Sequence, residues 1–427
     1  MRKSDQGASP DQGASPMTAE ISPQPLDAFL RSVSSTTYEE ARRLPGAAVA
    51  SSQDFDEMQA YVLDLYDGVD AVESYVETDG QVVDCIPEDA HPAARRWGGL
   101  AVAPDQVPPQ LPHADGPMTA DPRSRQAVSP PLRSAVRTAP AGTTPMYRTT
   151  LSGLCRFPNL AASSAKQRPP DLADAGETAA GLGKRYATGE QNIPCLGGAS
   201  RINVWNPFAA ASNQSTFSQQ WYYAGLEGPV LQTVECGWHV DIEMYGNATP
   251  HFFVFSTRRN YEAGHSFYND KGQAFQPVSN PYVRPGAPLA VSQSGGTQVE
   301  YKMGFYFTNN AWWLYFDDHA IGCYPAAWFD NGPMATNAAR AKFGGEVGTL
   351  ITQWPPMGSG RHASAGFGQA AYQRVAWVYP VSGGTAHATL SEAGSVSGPC
   401  YSLQITNNSG SDWGSYLFFG GPGGNGC

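Results

Sequence analysis

The sequence is poor in charge: Asp, Glu, Lys and Arg make up 15% of its 427 residues. What charge it has leans to one sign, with 38 acidic against 27 basic residues and a formal net charge of −11. Nucleic acids and anionic membranes are held through basic patches, so this balance argues against both as partners. It has no run of 18 apolar residues, and no segment reads as membrane-crossing. The seven cysteines form no C-x-x-C pair, which speaks against a structural zinc site. The serine-hydrolase motif GxSxG and the zinc-protease motif HExxH are both missing. His239, His251, His265 and His319 have no ligand spacing, and Asp317-Asp318 reads as a solvated turn rather than a calcium site. Gly421–Gly426 spells GxGxxG without a helix to follow, so it is no dinucleotide cradle. The expectation is a protein with no cofactor and no metal.

What is present is glycine (46), proline (35), tyrosine (20), phenylalanine (18) and tryptophan (10). That mixture suits short strands joined by turns better than helices. Residues 1–17 carry DQGASP twice, at Asp5–Pro10 and Asp11–Pro16, and read as a foreign or unstructured leader outside the fold. Their basic start lacks the apolar core of a signal peptide. Residues 18–160 read as a small α+β domain with a proline-rich linker. Within it a helix should begin near Ser51, with Phe55, Met58, Val62 and Leu65 on its inner face. A hairpin should follow, ESYVET and QVVDCI joined across Asp79-Gly80, a pair that type I′ turns favour. Residues 161–185, AASSAKQRPPDLADAGETAAGLGKR, read as an exposed, cleavable linker.

Residues 186–427 change texture to recurrent strands. The clearest is GTQVEYKMGFYFT, which alternates Val299, Tyr301, Met303, Phe305 and Phe307 against Gln298, Glu300, Lys302, Gly304 and Tyr306. Roughly ten such strands over about 240 residues, without intervening helices, predict an antiparallel β-sandwich or jelly roll. Two of these strands share a design. Leu231–Asp241 places Val234, Cys236, Trp238 and Val240 on one face, and Thr233, Glu235, Gly237 and His239 on the other. In Phe343–Ile351, Glu346 shares its face with Gly344 and Gly348. Each glutamate alone is an ordinary surface acid. Two carboxylates facing one cleft can instead divide into acid and base. Glu235 and Glu346 are therefore the candidate catalytic pair, with Trp238 assigned to the core.

Chain ends fray unless tied down, so the terminal Cys427 predicts a bridge, and Cys400 is the assigned partner. A disulfide implies an oxidising compartment.

The stretch VECGWHVDIEMYGNATPHFFVFST, followed by HAIGCYPAAWF, KFGGEV, PMGSG and FFGGPGGNGC, resembles the neprosin family of glutamic peptidases. Upstream, GQVVDCIPEDAHPAA and GTTPMYRTT resemble that family's propeptide, so the likeness runs from about Gln53 to Cys427. It implies a propeptide followed by a β-sandwich peptidase, secreted, acid-active and inclined to cut after proline. The family's catalytic glutamates fall on Glu235 and Glu346. Partners would be proline-containing peptides or proteins and the chain's own propeptide as inhibitor, in a monomer. Three departures stand out: Cys236 in place of an alanine, Cys323 in place of an aromatic, and GHSFYNDKGQAF in place of a cysteine-bearing loop. A mutual Cys236–Cys323 bridge is one consequence to look for. The N-terminal part is expected to cover the two glutamates with carboxylates of its own held in pairs, loosening in acid. A glycoside hydrolase with two carboxylates on a β-sandwich is the alternative, and a non-catalytic binding sandwich a third.

Overall fold

A computed structural model describes residues 22–105, 107–109, 123, 126–130, 139–164, 166, 183–207, 213–226, 228–394 and 399–427. The leader 1–17 and residues 165 and 167–182 of the expected linker lie outside these. The protein is mostly β, with a small α+β region ahead of one large, curled antiparallel sheet that folds back on itself like a sandwich.

In the N-terminal region the helix Ser52–Leu65 forms as its pattern predicts. Ser51 caps it by accepting from Asp54 N at 3.1 Å, and Phe55, Met58, Val62 and Leu65 are all buried. They pack with Leu26, Val33, Leu151 and Leu154 in a core separate from the sandwich. The hairpin also forms, with Glu73–Val76 antiparallel to Val82–Pro87 and Val76 opposite Val82. Its turn differs from the expected type I′. Gly80 has φ +89° but Asp79 does not reach positive φ, so the connection is a wider loop closed by Glu77 N to Gln81 O at 2.8 Å. The wider loop carries the side chains of Glu77 and Asp79 toward the sandwich.

The main sheet runs Gln276–Pro277, His319–Pro325, Ala311–Phe316, Gln298–Thr308, Gly183–Asn203, Ala338–Thr349, Gln214–Ala224, Gln232–Asp241, His251–Thr257, Ser266–Tyr268. Gly183–Asn203 is the strand that curls it. Its first half pairs with Ala338–Thr349, and its second half with Gln298–Thr308 and Ala371–Pro380. At the change of partner sits Gly197, φ +113°, where a Cβ would lie 2.0 Å from the Phe305 carbonyl oxygen. Only glycine fits there.

The strands read at Leu231–Asp241 and in GTQVEYKMGFYFT form as Gln232–Asp241 and Gln298–Thr308, whereas the first part of Gly183–Asn203 carries no such signal. Its glycines and Pro194 hide it from propensity. Gly189 makes room for Leu390, whose Cβ a Cβ there would meet at 3.0 Å, and on the facing strand a Cβ on Gly344 would meet the Ala187 oxygen at 2.3 Å. Val299, Tyr301, Met303 and Phe305 join Val234, Cys236, Trp238 and Val240 in the inter-layer core, and the Trp238 indole donates to Asn203 O at 2.9 Å.

Cys400 and Cys427 are joined, closing a loop of 27 residues. Cys236 and Cys323 are separate buried thiols and form no mutual bridge. Loop-closure entropy assigns the disulfide about 3.5 kcal/mol. Cys427→Ser should therefore lower the melting temperature by several degrees and leave fold-specific near-ultraviolet circular dichroism intact. An unchanged melting temperature would show that the C-terminal strand is held by packing alone.

Candidate active site

The two glutamates stand on strands that are not neighbours. Gln214–Ala224 lies between them, antiparallel to both. Glu346 is opposite Phe217 and Glu235 is opposite Trp221, so the acids sit on a diagonal across the intervening strand. Gln219, two residues from each of those positions and on the same face, lies midway. It is opposite Gly344 on one side and Gly237 on the other. The glycines noted beside each glutamate thus flank one residue, Gln219. A Cβ on Gly237 would fall 2.7 Å from the Gln219 Cβ and 2.1 Å from the Ser218 oxygen.

Both glutamates are completely buried. Neither is a surface acid. The group between them is one the sequence reading missed: the ammonium of Lys166, also buried, pairs with Glu235 Oε2, lies 3.3 Å from Glu346 Oε2, and donates to Gln219 Oε1 at 3.0 Å. Gln219 in turn donates its amide to Glu346 Oε2. Glu235 Oε1 accepts from the Tyr261 hydroxyl at 2.7 Å and from Thr233 at 2.9 Å. A second cation, Lys184, stands 2.8 Å from Glu346 Oε1, off the line of an aligned hydrogen bond and so an ion pair by proximity. Aromatic rings wall the site: Phe217, Trp221, Phe255 and Phe253 lie 5.1, 5.6, 5.5 and 5.8 Å from the Lys166 nitrogen.

This environment splits the pair. Burial pushes the Glu235 carboxyl above the usual carboxylate range, against the opposing pull of Lys166. Burial pushes Glu346 the same way, but Lys166 and Lys184 together outweigh it and hold that carboxyl below the usual range. One proton-holding and one ionised carboxyl is the arrangement that acid–base catalysis on a carbonyl requires.

Lys166 belongs to a segment laid over the site from the N-terminal region. The Arg156 guanidinium donates to Glu243 O at 2.8 Å and Met244 O at 2.9 Å, and Lys271 donates to Ser163 O at 3.0 Å. Between this segment and the sheet remains a cavity of about 270 Å3, bordered by Phe157, Lys166, Lys184, Phe217 and Tyr268. The group on the glutamates is thus a lysine; the expected paired carboxylates of the N-terminal part lie elsewhere on its contact with the sheet, Asp79 with His251 and Glu77 with Arg284. No periodicity marks Lys166; the one available signal was a lone lysine after an alanine- and serine-rich run. His239 and His251 are buried and bond to Tyr245 and Asp79, away from the pair. No group of three or more potential metal ligands occurs among the described residues.

With that geometry in view, comparison with known proteins is informative for one segment. Residues 212–422 match the family model described as Neprosin. This is the family that the sequence motifs resemble. Among solved structures, Scytalido-glutamic peptidase with a peptide-based transition-state analogue aligns over 56% of this chain and 98% of its own, at 6% identity and a TM-score of 0.29. A carbohydrate-binding module from Bacillus subtilis covers 39% of this chain and 73% of its own, at 9% identity and a TM-score of 0.17. A glycosidic hydrolase covers 41% and 81%, at 10% identity and 0.17.

The close approach at Gly237 yields a direct test. Gly237→Ala should force the Gln219 strand away, costing about 1–3 kcal/mol of stability as overpacking does. Denaturant unfolding measures it, and an unchanged midpoint would mean the strands have slack that these contacts deny.

Proposed function

We propose, from the Neprosin-family peptidase domain at residues 212–422, that the chain is the latent form of a secreted, acid-active glutamic endopeptidase that cuts after proline, with Glu235 and Glu346 as its catalytic pair. The observation that carries this reading is the Lys166 ammonium lodged between the two carboxylates. A buried cation there satisfies both acids and occupies the place a substrate's carbonyl and a water would need.

In the working enzyme one glutamate, ionised, takes a proton from water as its oxygen bonds to the peptide carbonyl carbon. The other, protonated, gives its proton to the carbonyl oxygen. On collapse the carbon–nitrogen bond breaks, the amine leaves with the first proton, and the second returns to its donor. The aromatic walls around the Lys166 nitrogen offer flat apolar faces that suit a proline ring, in line with the preference the family resemblance implies. Secretion accords with the Cys400–Cys427 disulfide.

Acid release follows from the sign of the linkage. Lys166 lowers the pKa of both carboxyls while it is in place. Opening also returns both carboxyls to solvent, so the sign follows each closed-form shift: Glu346, held below the usual range, binds its proton more tightly in the open form, and Glu235, held above it, less tightly. The lysine's hold is complete at neutral pH. The part carried by Glu346 is complete above the usual carboxylate value of about 4 and is lost as pH falls below that, through the lowered closed-form value.

Shifting the purified chain from pH 7 to pH 4 should produce shortening on a gel together with peptide-cleaving activity. Full activity at pH 7 with the N-terminal region attached would overturn latency. Glu235→Gln and Glu346→Gln should each lower turnover by about 10²–10⁴-fold, the usual worth of a general acid or base. Near-normal turnover in either variant would remove that residue from the mechanism. Lys166→Met should move the onset of shortening to higher pH, and an onset at or below that of the parent chain would show that the lysine is not the restraint.

A further inference from the structure

Two equal carboxylates across one strand need something to decide which keeps the proton, and Lys166 cannot be that group once its segment has left. The remaining contacts are unequal. Glu235 is left with the neutral hydroxyls of Tyr261 and Thr233. Glu346 is left with the Gln219 amide and the Lys184 ammonium.

Lys184 is part of the sheet. It lies in Gly183–Asn203, directly opposite Gly348 of the Glu346 strand, and its side chain is 10% exposed. Gly348 is what admits it, since a Cβ there would fall 2.8 Å from the lysine nitrogen. The Phe217 ring lies 4.7 Å below the same nitrogen and shields it from solvent. Lys184 also precedes the segment that matches the family model, so that match does not cover it.

Resting on the peptidase reading above, we propose that Lys184 is the positioning residue that fixes the division of labour, keeping Glu346 as the ionised, water-activating carboxylate and leaving Glu235 as the proton donor. The ionisable groups facing Glu346 are Lys166 from the covering segment, Lys184 from its own neighbour strand, Glu235 across Gln214–Ala224, and the Tyr261 and Tyr268 hydroxyls. Asp241 feels the same lysine from the far side. Both tyrosines are held neutral, their hydroxyls pushed well up first by burial and then by the neighbouring carboxylates. With Lys166 gone, Lys184 is the cation left against the pair among the described residues. Like charges this close share one proton, and a cation beside one partner assigns it to the other.

The test compares Lys184→Met, Lys184→Arg and Gly348→Ala with the parent, using acid-processed enzyme and a proline-containing peptide. The acid limb of kcat/KM reports the group that must be ionised. Lys184→Met should move it to higher pH by about one unit, Gly348→Ala should move it the same way by less, and Lys184→Arg should leave it in place. An unmoved acid limb in the first two variants overturns the proposal, as does a shift confined to the alkaline limb. A second readout is independent of turnover. In the full chain carrying Glu235→Gln, the ¹³C carboxyl resonance of Glu346, assigned by its loss in Glu346→Gln, should titrate at higher pH when Lys184→Met is added. If the chain proves to lack peptidase activity, the reading above fails while this titration still decides whether Lys184 sets the charge of Glu346. An unmoved titration overturns the role of Lys184 alone.

Discussion

Everything near the centre of this protein depends on one unfavourable act, burying two carboxyls within reach of each other. Isolated charge in a protein interior is expensive, and a like pair is worse. Glu235 and Glu346 are both fully buried, so their surroundings must supply cations, donors or protons. They supply all three. Lys166 bridges the pair, Lys184 stands against Glu346, Gln219 and Tyr261 donate hydrogen bonds, and burial favours a proton on Glu235. Without that bridge the pair would be short of one positive charge.

The scaffold meets that requirement through glycine placed at strand crossings. Gly237 and Gly344 leave room on either side of Gln219, and Gly348 leaves room for the Lys184 nitrogen. The gaps are filled in the resting protein, by backbone in two cases and by an ammonium in the third.

Strand facing alone was enough to single out both glutamates, because a period-two pattern is a local property and survives without knowledge of neighbours. That they meet was not legible. Their meeting depends on the Gln214–Ala224 strand entering between them with Gln219 in register, which is a long-range fact. Lys184 was hidden for a related reason, since its strand is masked by Gly183, Gly189 and Pro194 and owes its existence to close packing rather than propensity. Lys166 was hidden because a lone lysine carries no periodic signal. The helix at Ser52 and the Cys400–Cys427 bridge were legible because capping and chain-end anchoring are again local arguments. The hairpin turn was misread because Asp-Gly specifies a glycine at positive φ but not the loop length around it.

The wider hairpin loop bears on how acid acts at a distance from the pair. Its Asp79 is bonded to His251 at 2.8 Å, and Glu77 pairs with Arg284, both partners lying in the sandwich. The two acids respond in opposite senses. Burial would raise Asp79, but the contacts with His251 and the hydrogen bonds from Gln81 together outweigh it and leave the carboxyl below its usual range. Its contribution to docking is therefore present above the ordinary value near 4 and is lost as pH falls below that. Burial raises Glu77 despite Arg284, so protonating it becomes easier in the docked state and its contribution grows as pH falls. Side by side, the two pairs partly cancel, and docking of the N-terminal region through them is buffered against mild acid. The central pair is split in the same way, with Glu346 held below the usual range and Glu235 above it, so at the centre too the part lost on acidification is the one that rests on the lowered carboxyl, Glu346.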